Sequence, residues 1–169
     1  VIAARELSIP LISHSPHGGL EHLKWLIDLG MDPARVAISH PEMELKGRFA
    51  RPPKDVQRRI TEIVNRGATV CITDLYSTGS RADAGTIRIL ESLIGHGLSK
   101  QAFISSDASW HVKRGVPKFR GAGMSAGFVT CLAALTKLRA SLGGDAPEIR
   151  ALSSENPRLF YRLASKNKE

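Results

Sequence analysis

Three short runs in this sequence end in side chains able to hold a cation or move a proton: Pro10-Leu11-Ile12-Ser13-His14, Arg35-Val36-Ala37-Ile38-Ser39-His40 and Ala102-Phe103-Ile104-Ser105-Ser106-Asp107. Each has an apolar stretch, then serine, then histidine or aspartate. Neutral imidazoles with a carboxylate form a nitrogen/oxygen donor set that suits zinc, manganese or iron, and a water on such a cation has its pKa lowered towards neutrality and becomes a nucleophile. One histidine at a strand end is more often a hydrogen-bonded structural residue, but three runs of the same design argue for a shared site. A fourth run, Ala68 to Asp74, ends in an acid that could support a ligand from behind or cap the next segment. Tyr76 and Trp110 follow run ends and could wall a pocket or pack against a loop. His17 and His111 fall in loops on the expected mouth as candidate substrate contacts, whereas His22 and His96 lie in or near helices and read as surface residues.

The elements that must position these groups follow from periodicity. Continuous apolar runs bounded by turn residues predict buried parallel strands over Ile9–His14, Val36–His40, Ala68–Asp74 and Ala102–Ser106. Between them, three- and four-residue apolar spacing predicts helices over Leu20–Leu29, from Pro52-Pro53 to Gly67 (burying Val56, Ile60, Ile63 and Val64), and over Ala84–Gly95. Further helices are expected over Ser125–Leu142 and Asn156–Ala164. The segment Pro41–Arg51 reads as a long loop. So does the basic stretch from Asp107 to Gly123, where Gly121 and Gly123 either offer amides to a phosphate or simply turn the chain. Strand–loop–helix units at a spacing of roughly thirty residues mean an α/β fold with right-handed crossovers in a parallel sheet. An open doubly wound sheet and part of a (β/α)8 barrel both fit. Polar groups at the carboxyl ends of all four strands favour the barrel, which needs about 250 residues, so this chain would supply half of one.

The 169 residues, 42% of them hydrophobic, suit one domain spanning 1–169, a partial TIM barrel without its N-terminal strands. The formal charge of +8 is compatible with anionic partners or with an ordinary basic surface. Cys71 in a predicted strand and Cys131 in a predicted helix read as buried thiols in a reducing compartment. No signal peptide or membrane-length run is present, so a cytoplasmic protein without a membrane partner is expected. The chain opens in what reads as the middle of a helix (Val1 to Leu7) with neither methionine nor cap, so residues upstream are expected.

Ile12-Ser13-His14-Ser15, Leu29-Gly30-Met31-Asp32-Pro33-Ala34-Arg35-Val36-Ala37-Ile38-Ser39-His40, Ile104-Ser105-Ser106-Asp107 and the closing Glu155-Asn156-Pro157-Arg158-Leu159-Phe160 together resemble the second half, strands five to eight, of a phosphotriesterase-related protein of the amidohydrolase superfamily. The resemblance implies a hydrolase of ester, lactone or phosphoester bonds working through a metal-bound hydroxide, with two divalent ions, zinc first and manganese, cobalt or iron as alternatives. His14 and His40 would ligate one metal, and Asp107 would ligate the other and handle the proton. The first-strand His-x-His pair and the fourth-strand bridging residue would lie upstream. Two departures, Leu75 after Asp74 and Glu42 or Glu44 in place of an aspartate, point away from organophosphates and towards a small lactone or other carboxylic ester. Two alternatives stand beside this: a TatD-type metal-dependent deoxyribonuclease, against which the Asp32-Pro33-x-Arg35-Val36 run argues, and a catalytically inactive half-barrel, stable by pairing its sheet edges with a second copy as a homodimer or with a missing half.

Overall fold

A computed structural model describes residues 1–73, 81–105, 111–113, 116–118, 134–144 and 146–162, with the side chains of 81–83, 111–113 and 116–118 outside the description. Four parallel strands, β1 (Leu11–His14), β2 (Val36–Ser39), β3 (Thr69–Ile72) and β4 (Ala102–Ile104), lie side by side in chain order. Consecutive parallel neighbours require a crossover each time. Helices α2 (Gly19–Asp28), α3 (Pro53–Asn65) and α4 (Arg81–Gly95) provide them, after a short α1 (Ile2–Glu6). Thus the α/β pattern expected from the spacing is present, with strands slightly shorter than their apolar runs.

Alternation along the strands sorts the residues into two layers. Val36 and Ile38, Val70 and Ile72, and Ala102 pack with Leu23 of α2, Ile60 and Ile63 of α3 and Leu90 of α4 in the main core. Burying each of the valine, isoleucine and leucine side chains stabilises the fold by about 1.5–3 kcal/mol. The opposite face carries Ala37, Cys71 and Phe103, grouped with Phe160. Cys71 is buried, as its strand position predicts; Cys131 lies outside the described residues. Gly19 opens α2 where a Cβ would stand 2.8 Å from the Ile38 side chain, so close helix–strand packing requires glycine there.

Three expectations change. The segment after β2 is not an irregular loop: Pro41–Leu45 forms a 3-10 turn, for which proline at the first position is well suited. Within the basic stretch, the backbone of β5 (His111–Lys113) pairs antiparallel with that of β6 (Val116–Lys118). The C-terminal helical region also starts earlier than Asn156. Following a helix over 134–141, α5, the chain runs through α6 (Pro147–Arg150), a π turn at Ala151–Glu155 and α7 (Asn156–Arg162).

Asn156 shows why that ending docks where it does. Its buried amide donates to the Ser99 carbonyl at 2.7 Å and the Ala102 carbonyl at 2.6 Å, at the start of β4, and holds Phe160 against Phe103 with ring centroids 5.8 Å apart. Asn156→Ala leaves both carbonyls without this donor, and a loss of about 1–3 kcal/mol in urea unfolding is the expected result. Among the described residues no helix is long and apolar enough to cross a membrane.

Candidate functional site

Parallel strands all point the same way, so the residues at their carboxyl ends meet along one edge of the sheet. His14 closes β1 and His40 follows β2 directly; the register pairs His14 with Ser39. Strict alternation would turn His40 towards the helices, away from His14. The backbone prevents this: His40 has φ +66° immediately before Pro41, a left-handed conformation that is unusual for a residue with a Cβ. Such a residue costs of order 1–3 kcal/mol and persists where its surroundings hold it. Here the His40 N–H donates to the Cys71 carbonyl at 3.2 Å, and its own carbonyl accepts from Met43 at 3.0 Å. The two imidazoles meet edge to face, ring centroids 4.6 Å apart. His14 is exposed and His40 buried.

Behind His40 lies a polar cluster that composition alone does not reveal. Thr73 Oγ1 is 2.6 Å from His40 Nδ1 and donates to Glu42 Oε1 at 3.0 Å, while the Thr73 N–H donates to the same oxygen at 2.8 Å. Glu42 is wholly buried. The sequence treats Glu42 and Glu44 as alternative stand-ins for one acid; the fold gives them different partners. Glu44 Oε2 accepts from Arg59 Nε at 2.7 Å and from Arg51 Nε at 2.9 Å, and its Oε1 accepts from the Gly18 N–H at 3.1 Å. Arg59 also grips Glu21 with both terminal nitrogens, Nη1 at 3.0 Å. The guanidinium thus ties α2, α3 and the 3-10 turn behind the His14–His40 edge.

Arg59 holds the Glu21 carboxyl below the ordinary glutamate range, chiefly by hydrogen bonding and then by its charge, against the opposing effect of burial. A lowered carboxyl pKa contributes stability above the unfolded-state value, and that stability is lost as pH falls through the folded-state value. Glu21 is partly exposed, so screening keeps the effect small. The expected result is a modest melting-temperature advantage of the native chain over Glu21→Gln at neutral pH, shrinking as pH drops below the glutamate range.

His22, read as a surface residue, is instead half-buried: its Nδ1 lies 2.7 Å from the Oγ of wholly buried Ser15, which is 2.8 Å from Ser13 Oγ. The cause is Ser13, whose place in β1 faces α2. His96 is exposed and, among the described residues, bonds within its own helix turn, Nδ1 to the Ser92 carbonyl at 2.7 Å, in keeping with a surface residue. His17 sits edge-on to exposed Phe49 with centroids 5.8 Å apart. Asp74, Tyr76, Asp107 and Trp110 lie outside the described residues, as does the side chain of His111.

Two adjacent imidazoles, one anchored from behind, are a donor pair suited to a borderline divalent cation. Among the described residues no third histidine, cysteine or acid completes such a group; the third ligand expected from the sequence, Asp107, belongs to the segment not described.

No family model matches this chain, and no curated protein matches it in sequence. Solved structures do match in fold. One is from the engineering of organophosphate hydrolysis activity from a weak promiscuous lactonase template, at TM-score 0.70 and 22% identity, covering 95% of this chain and 49% of that one. A mutant of the organophosphorus hydrolase from Deinococcus radiodurans matches at TM-score 0.70 and 22% identity, over 95% of this chain and 48% of that one. The β-aspartyl dipeptidase from Fervidobacterium islandicum, bound to a β-Asp-Leu dipeptide, matches at TM-score 0.61 and 19% identity, over 90% and 38%. The chain therefore spans about half the length, or less, of the structures it resembles. Its four parallel strands and their helices are an α/β unit that matches part of TIM-barrel hydrolases.

Proposed function

We propose that this chain provides strands five to eight of a metal-dependent hydrolase barrel of the phosphotriesterase-related type. The observation that carries this reading is the meeting of the His14 and His40 imidazoles at the carboxyl edge of two neighbouring parallel strands, 4.6 Å between ring centroids, where barrels of this kind collect their working groups. The likeness in fold to a lactonase-derived enzyme and to an organophosphorus hydrolase supports it.

In this reading His14 and His40 would hold one divalent ion, and Asp107 would hold a second and take up a proton from the attacking water. Ions bound there supply Lewis acidity and lower the pKa of water. His14 is exposed, whereas His40 is fixed from behind. A carboxylic ester or lactone is the substrate class, since Leu75 follows Asp74 and Glu42 is occupied by Thr73. Zinc is the first candidate ion, and Asp74, Tyr76 and Trp110 are assigned to supporting or substrate-facing roles. A cytoplasmic setting and a homodimer remain part of the proposal. Metal analysis of the complete protein tests it: wild type and His40→Ala/Asp107→Ala with the same metal content would remove its basis.

A further inference from the structure

The three buried groups behind the exposed edge do more than fill space. Glu42, Thr73 and His40 have relative exposures of 0%, 3% and 8%, so water cannot readily replace the bonds among them. Thr73 has a single hydroxyl proton and two neighbours for it, His40 Nδ1 at 2.6 Å and Glu42 Oε1 at 3.0 Å. Glu42 Oε1 already accepts the Thr73 main-chain N–H at 2.8 Å. An oxygen in that position is an acceptor, because a protonated carboxyl oxygen is a poor partner for a second donor. The hydroxyl proton therefore goes to Glu42, and Oγ1 presents a lone pair to His40. Only an N–H at Nδ1 satisfies that lone pair.

We propose that Thr73 and Glu42 are positioning residues that lock His40 in the tautomer with hydrogen on Nδ1 and the lone pair on Nε2, so that the accepting oxygen of one buried carboxyl group sets the ligand nitrogen of a strand-end histidine. The same pair also fixes the ring plane. Glu42 sits on the 3-10 turn two residues beyond His40 and Thr73 directly follows β3, so the relay ties the left-handed corner at His40 to the neighbouring strand. The tautomer stands on these hydrogen bonds alone; its consequence for a cation rests on the metal-dependent reading above.

Nitrogen-15 imidazole NMR of the metal-free protein reads the tautomer directly. His40 is expected to show a protonated Nδ1 and a lone-pair Nε2 in the wild type, which requires no variant to fold. Thr73→Val, nearly the same shape without the hydroxyl, is expected to give a mixture of both tautomers, and Thr73→Ser to restore one. In the complete protein, competition with a chromophoric chelator is expected to show zinc bound about 10–100-fold more weakly by Thr73→Val and near wild-type affinity for Thr73→Ser. A wild-type lone pair on Nδ1, or an unchanged single tautomer in Thr73→Val, overturns the relay. The expected tautomer in a complete protein that binds no zinc upholds the relay and overturns the metal-dependent reading instead.

Discussion

Arg59→Ala is expected to lower the unfolding free energy by about 3–5 kcal/mol, the usual consequence of removing one partner from a buried ion pair. The side chain is 9% exposed and meets Glu44, itself 4% exposed, so the substitution strands a carboxylate in the interior. It also releases Glu21, on a different helix. Arg51 still reaches Glu44 at 2.9 Å and Gly18 still donates to it, which places the effect in the lower part of that range. Arg59→Lys should recover only part of the loss, because one ammonium cannot reproduce a planar fork spread across two carboxylates. Urea unfolding checks both, read as a shift of midpoint at constant slope. A change below about 1 kcal/mol in Arg59→Ala would mean that the guanidinium is no more than a surface ion.

In the proposed hydrolase barrel, His40→Ala/Asp107→Ala is expected to lower the metal affinity and ester hydrolysis proposed above by at least about 100-fold, since losses of 10–100-fold already follow from changes behind the ligands. The two substitutions remove a proposed ligand from each ion. His40→Gly separates chemistry from backbone, because glycine accepts the φ of +66° without strain. It should retain the fold and lose the metal. His96→Ala is the matched control, an exposed imidazole bonded within its own turn, and should change neither quantity. Metal content by elemental analysis and initial hydrolysis rates against a lactone measure the difference.

Local sequence pattern encodes some elements of this fold and not others, for physical reasons. Val36-Ala37-Ile38 announces a buried strand because both faces of a covered parallel sheet are apolar, and all four residues of β2 are indeed buried. The helix over Pro53–Asn65 is equally plain, with Val56, Ile60, Ile63 and Val64 on one face. Arg59 lies in that same helix and reads from spacing as one more polar residue. Its burial depends on Glu21 and Glu44 arriving from other elements, which no local pattern encodes. Ser15 and His22 were hidden for the same reason.

The parallel strands, the location of the helices between them and the presence of His14 and His40 at strand ends were written in the chain, because hydrophobic period and turn residues act over a few neighbours; that the strands lie side by side in chain order was decided by folding. The left-handed corner that turns His40 back towards His14, the Thr73–Glu42 pair behind it and the separate fates of Glu42 and Glu44 were settled only by folding. Those features join residues that are distant in sequence, and they exist because a buried polar group must find its partner wherever packing brings one within hydrogen-bond reach.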